Sequence, residues 1–173
     1  MHNVNKKQPQ PCNVVVSGVA ENSKMKECLS KVSSHSWPLH IIESDYHTYL
    51  QAGNSDHGIA AKKAEEIVYL TADSPNVIEE LDESKVYIIG GIVDRNRYIK
   101  LTLNKAEKQG ISHGKLPIGD HLKLKTSTVL TVNHVFEILA EQFNTKDWKK
   151  TLEKVIPDRK IISEKGKDEE VKE

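Results

Sequence analysis

Residues 86–98 read VYIIGGIVDRNRY, and this stretch decides the fold. Val86, Tyr87, Ile88 and Ile89 form an unbroken apolar run, too short for a helix and rich in β-branched side chains. That is the pattern of a strand covered on both faces. The run breaks at Gly90 and Gly91, and Asp94, Arg95, Asn96 and Arg97 follow almost at once. The sequence thus predicts a strand whose carboxyl end is given to polar work, with glycine letting a ligand approach the backbone. A plain Gly-Gly turn is the simpler alternative. A phosphate cradle is excluded, because the G-x-G-x-x-G and G-x-x-x-x-G-K spacings are missing.

Strand and helix alternate in both directions from here. Upstream, IVYL (67–70) is a second buried strand, and Asp73 or Ser74 with Pro75 predicts a short helix through Leu81. NVVVSGV (13–19) and HIIE (40–43) are earlier strand candidates, and Met25, Cys28, Leu29 and Val32 share one helical face between them. Residues 44–58 are weakly patterned and read as loop, while AAKKAEE (60–66) is helix-prone. Downstream, LTLNKAEKQG (101–110) is a helix stopped by Gly110, HGKLPI (113–118) a strand and HLKLKTST (121–128) a polar loop. Val132, Val135, Phe136, Leu139 and Phe143 recur at helical spacing, and a second helix surrounds Trp148 and Leu152. Beyond Ile156, eleven of the last seventeen residues are charged. Residues 157–173 are therefore expected to form a disordered tail behind a single domain of residues 1–156. Short apolar strands alternating with helices predict an α/β fold, a mostly parallel sheet with helices on both faces.

Composition narrows the function classes. Hydrophobic residues are 37% and charged residues 29% of the 173, the balance of a soluble domain. No apolar run approaches the roughly 20 residues of a membrane helix. The opening MHNVNKKQPQPC has no apolar core of the kind an export signal carries. Cys12 and Cys28 have no metal-ligand spacing and read as free thiols of a reducing compartment. The formal net charge is zero, yet it is unevenly distributed. Residues 41–82 hold nine acidic side chains against Lys62 and Lys63, and residues 95–125 hold eight basic ones against Glu107 and Asp120. A neutral chain can in this way present a basic surface, although the charges could equally be scattered.

Four stretches share strand-end positions, in order: YLTADSPN (69–76), VYIIGGIVDRNRYIKLT (86–102), KLPIGD (115–120) and TSTVLTVNHVFEIL (126–139). This set closely resembles the tRNA (purine-9) N1-methyltransferase family, of the SPOUT class, over residues 67–156. The likeness is fainter over residues 11–50, where it rests on VVVSGV and on the Trp37 region before HIIE. The resemblance implies a SPOUT-type sheet with a deep C-terminal trefoil knot whose loops hold S-adenosyl-L-methionine. It places Leu70, Gly90, Asp94, Arg95, Asn96, Arg97, Tyr98, Thr102, Leu116, Thr128, Val129 and Leu130 around that cofactor. Asp94 is the implied catalytic residue, and Asn133 and His134 are either second candidates or a helix cap.

The implied partner is tRNA, and the implied state is a monomer in the nucleus or cytoplasm. Arg95, Arg97, Lys100, Lys105, Lys115, Lys123 and Lys125 are the candidates for RNA phosphates. Methylating N1 of guanine requires the N1 proton to leave, which a carboxylate can accept. An ordinary aspartate is a weak base, and Arg95 and Arg97 would weaken it further, so Asp94 is expected to orient the purine as much as deprotonate it. Family members carry a basic N-terminal region and one more strand before the VVVSGV equivalent. Thr128 also stands where a lysine is common. These departures keep open a second expectation, a catalytically impaired or non-catalytic RNA-binding protein with the same fold.

Overall fold

The computed structural model describes residues 1–32, 34–92, 98–125 and 130–162. Among these residues five short strands appear in chain order: β1 (Val15–Val16), β2 (His40–Ile41), β3 (Ile67–Leu70), β4 (Val86–Ile89) and β5 (Ser112–Gly114). Every pairing between these strands is parallel. β1 pairs with β2, and β3 lies between β4 and β5. The central place of β3 explains its unbroken apolar sequence, since Ile67, Val68 and Tyr69 are all buried.

Among the described residues, seven α-helices accompany the strands: α1 (His2–Lys6), α2 (Lys24–Lys31), α3 (Tyr46–Ala52), α4 (Leu101–Lys108), α5 (Ile118–His121), α6 (Val132–Thr145) and α7 (Trp148–Val155). Strand side chains alternate between faces, so the register Ile67–Val86 and Tyr69–Ile88 puts these four on one side. There they pack with Tyr46, Tyr49 and Leu50 of α3, Ala106 of α4, and Ile111. Val15 and Ile42 bring the β1–β2 pair onto the same core. Tyr87 points to the opposite side, where its ring meets Phe143 of α6 edge-on, 6.3 Å between centroids. Helices thus cover both faces, as expected.

The helical end of the molecule has its own core of Ile118, Ile138, Trp148, Leu152 and Ile156. Helix α6 serves both layers. Phe143 faces the sheet, while Ile138 and Gln142 turn toward α7, where the Gln142 amide oxygen accepts from the Thr151 hydroxyl at 2.9 Å. The apolar spacing predicts the helix but not the burial of Ile138 and Gln142, because a two-sided helix has no single stripe.

Four local expectations are corrected. Residues 44–58 contain α3, capped by the Asp45 carboxylate, which accepts the His47 N–H at 2.9 Å. The helix expected through Leu81 is absent. That segment runs extended, with Val77 bridged in parallel to Lys115 and the Lys115 N–H donating to the Asn76 carbonyl at 2.8 Å. Ile78 and Leu81 pack on the helical core, and the Trp148 indole N–H donates to the Glu79 carbonyl. The strand expected over 113–118 is Ser112–Gly114, and α5 begins at Ile118; helix α2 forms as expected, although it buries none of its residues. Residues 60–66 hold only a 3-10 turn, Ala64–Glu66.

At the C-terminus, residues 157–162 fold back on the body. The 3-10 turn Asp158–Lys160 leads into an antiparallel bridge between Leu124 and Ile161. The expected tail beyond them, residues 163–173, lies outside the described residues.

Candidate functional site

Leu70, Ile89 and Gly114 end the three strands side by side, with Leu70 in register with both neighbours. This carboxyl edge is where parallel α/β sheets bind ligands. The side chain of Leu70 is half-buried there. Gly90 follows β4 directly. A Cβ on it would lie 3.2 Å from the Tyr69 hydroxyl and 3.4 Å from Thr102 Cγ2, whereas one on Gly91 would meet nothing within 4 Å among the described residues. Gly90 is thus demanded first by the packing of the fold itself.

Hydrogen bonds tie the start of α4 to the end of β3. The Thr102 hydroxyl donates to the Thr71 hydroxyl at 2.8 Å, and the Asp73 N–H reaches that same Thr71 oxygen at 3.3 Å. The Asp73 carboxylate accepts the Lys100 N–H at 3.0 Å. Lys100 is left-handed (φ 58), an uncommon conformation for a side-chain-bearing residue, and the Asp73 bond pins its amide. Next to this pair, buried Ser74 meets His113 Nδ1 at 2.9 Å and accepts the Asn76 N–H at 3.0 Å. Thr71 N–H donates to the Gly114 carbonyl at 2.9 Å, and Ile78 crosses Gly114 so closely that a Cβ there would stand 2.6 Å from Ile78 Cγ1. YLTADSPN is therefore the clamp of the strand edge. Sequence reading singled out only Leu70 in it; the short polar side chains Thr71, Asp73 and Ser74, clustered behind a buried strand, were the available signal.

The expected site residues divide into three groups. Leu70, Gly90 and Thr102 converge at the edge of β3 and β4, with Tyr98 exposed just before α4. Leu116 and Leu130 turn their side chains onto the helical core instead. Asp94, Arg95, Asn96, Arg97, Thr128 and Val129 lie outside the described residues. Of the second candidates, neither Asn133 nor His134 caps α6. Thr131 does, accepting the His134 N–H at 3.4 Å.

Among the basic candidates, Lys105 is spent inside the fold. It pairs with Asp45 at 3.1 Å and lies 4.7 Å from the Tyr46 ring centroid. Burial alone would raise the Asp45 carboxyl, but the His47 N–H, Lys105 and Gln109 outweigh it and hold the group below its ordinary value. Lys100, Lys123 and Lys125 are exposed and Lys115 is half-buried. No group of three or more His, Cys, Asp or Glu could hold a metal ion among the described residues.

Comparison with solved structures assigns the architecture. The crystal structure titled as a complex of full-length spTrm10 with SAH superposes with a TM-score of 0.76 at 37% identity, covering 91% of this chain and 79% of that one. A second, of spTrm10(74), gives 0.76 over 90% and 79%. The fold is thus the SPOUT-type α/β arrangement of those proteins. A family model described as tRNA (guanine(9)-N(1))-methyltransferase TRM10/TRM10A matches residues 1–161, and the chain belongs to that family. Among curated relatives, the tRNA (guanine(9)-N1)-methyltransferase of Schizosaccharomyces pombe is 55% identical over 98 residues, 57% of this chain and 32% of its own length. Human tRNA methyltransferase 10 homolog A is 49% identical over 98 residues, 57% of this chain and 29% of its own length. The match thus spans about a third or less of these relatives.

Proposed function

We propose that this chain is an S-adenosyl-L-methionine-dependent methyltransferase acting on N1 of guanine at tRNA position 9. The observation that carries this reading is the convergence of Leu70, Gly90 and Thr102 at the carboxyl edge of β3 and β4. Family membership supports it, as do relatives named for that reaction and a structural neighbour solved as an SAH complex. The edge suits the cofactor chemically. The backbone at Gly91, which carries no side chain, can face a polar group, and the half-buried Leu70 offers an apolar surface. When bound, S-adenosyl-L-methionine supplies an electrophilic methyl group on a sulfonium.

In this reading Asp94 faces the purine and takes the N1 proton of guanine as the ring nitrogen is methylated. Arg95 and Arg97 favour the charged carboxylate and so limit its strength as a base. Lys100, Lys115, Lys123 and Lys125, with the two arginines, contact tRNA phosphates. The trefoil knot of the SPOUT class, a monomeric state and a nuclear or cytoplasmic location belong to the same reading. Among the described residues no helix is long and apolar enough to cross a membrane.

The test is Asp94→Asn, which keeps size and polarity but cannot accept the proton. Single-turnover guanine methylation is expected to slow by roughly 10- to 1,000-fold, with tRNA and cofactor affinity nearly unchanged. An adenine-containing substrate, which has no N1 proton, should be slowed less. Equal guanine rates at every pH would remove Asp94 from the chemistry.

A further inference from the structure

Leu124 and Ile161 oppose each other in an antiparallel bridge. The Lys125 N–H donates to the Lys160 carbonyl and the Ile162 N–H to the Lys123 carbonyl, both at 2.8 Å. Leu124 and Ile161 both pack inward, against the core of Trp148, Leu152 and Ile156. Lys123 and Lys125 flank the inward Leu124 and are exposed, while half-buried Lys160 closes the 3-10 turn beside them. Lys125 and Lys160 flank the bridge directly opposite each other, and Arg159 is exposed one residue before.

Like charges gathered on one surface repel and cost stability. None of Lys125, Arg159 and Lys160 joins an ion pair among the described residues. Two segments more than thirty residues apart are thus held together by an apolar inner face, and Lys125, Arg159 and Lys160 stand at this junction with no ion pair among the described residues. A polyanion resolves that repulsion, and arginine beside lysines suits phosphate oxygens in particular.

We infer that Arg159 and Lys160 join Lys123 and Lys125 in one phosphate-binding edge for tRNA. The 157–162 segment is then part of the RNA contact surface and not a spacer to the tail. This rests on the tRNA reading proposed above and adds to it a second stretch of chain.

The test uses the full chain and unmodified tRNA transcript, with affinity measured across a range of salt concentrations. Arg159→Gln with Lys160→Gln should lower the slope of log affinity against log salt by about 1.4 to 1.8, two contacts at roughly 0.7 to 0.9 each. Lys123→Gln with Lys125→Gln should do the same. Arg159→Lys keeps the charge and should keep the slope, and S-adenosyl-L-methionine affinity should stay constant in every variant. A normal slope in the 159/160 variant, with a lowered one in the 123/125 variant, overturns the inference and leaves the tRNA reading standing. Weaker binding at unchanged slope overturns it as well, because altered structure would then be the cause. No salt-dependent tRNA binding by the wild-type chain would remove the tRNA reading itself, and the inference with it.

Discussion

The core under the sheet and the core between the last helices are built from different chemistry. Under the sheet, three of the seven buried members are tyrosines: Tyr46, Tyr49 and Tyr69. Two of the polar ends are committed, Tyr46 bonded to Gln109 and Tyr49 to His57, and the Tyr46 and Tyr69 rings are set edge-on at 5.8 Å. Burial raises the Tyr46 phenol, the neighbouring Tyr69 and Asp45 raise it further, and the ring stays neutral. Between the helices, Ile118, Ile138, Leu152 and Ile156 surround Trp148, and the specificity is mostly that of shape. Hydrogen-bonded aromatics fix rotation as well as position, whereas aliphatics fix volume. The directional core lies under the strand edge that carries Leu70, Gly90 and Thr102. The aliphatic core anchors the surface on which Lys123, Lys125, Arg159 and Lys160 stand.

The largest expected effect breaks the helical core alone. Leu152 is fully buried, and Leu152→Ala should lower unfolding stability by about 2–5 kcal/mol through lost burial and the cavity left behind. Denaturant midpoints measure this. If the two cores act separately, the folded fraction should bind S-adenosyl-L-methionine with wild-type affinity by calorimetry. A matching loss of affinity would merge the two regions into one unit.

A smaller effect sharpens the sheet side. Gly90→Ala puts a Cβ 3.2 Å from the Tyr69 hydroxyl and 3.4 Å from Thr102 Cγ2, an overpacking expected to cost about 1–2 kcal/mol. Tyr69→Phe removes the oxygen that crowds it. In a double-mutant cycle, Tyr69→Phe should recover at least about half of that cost. Recovered stability with cofactor binding still lost would show that Gly90 serves the ligand as well as the packing. An additive cycle would dismiss the contact with Tyr69 as the reason for glycine.

What the sequence made legible follows the same division. The strands β3 and β4 and the helices α4, α6 and α7 each carry a periodic signal strong enough to stand alone. Helix α3 was hidden because its buried Tyr46, Tyr49 and Leu50 sit among polar residues and only Asp45 marks its start. The segment after Asp73 has good helix-start residues, but a backbone bridge from Val77 to Lys115 and the burial of Ile78 override them. No local pattern can report a partner 38 positions away. Ile161 was lost in the same manner, one apolar anchor in a charged stretch. Of the site, the resemblance located the strand edge, while the clamp of Thr71, Asp73 and Ser74 became visible only when β3, β5 and α4 were brought together.

The smallest expected effect concerns acid. His40 on β2 stacks on His57 at 3.9 Å between ring centroids, whereas the buried members of the helical core, Ile118, Ile138, Trp148, Leu152 and Ile156, do not titrate. Burial lowers the His40 pKa from its ordinary 6.5, and the charge of His57 lowers it further. A histidine with a depressed folded value takes its proton more readily when unfolded. Its contribution is therefore complete above about pH 6.5 and declines as pH falls from there toward the folded value. The His40 ring is half-buried and partly reached by solvent, which screens the interaction, so the change in melting midpoint should be on the order of 1 °C. Asp45 acts in a separate window. Its carboxyl lies below the ordinary 3.8, so its contribution is present above that value and is lost only in stronger acid. Melting curves at closely spaced pH values between 7.5 and 5.5 should show a shallow decline for the wild type and a flat line for His40→Gln. The helical core should respond to neither change, so Leu152→Ala should shift the whole curve down without altering its shape. A decline that persists in His40→Gln would move the acid-sensitive group out of the sheet side and end the contrast at that point.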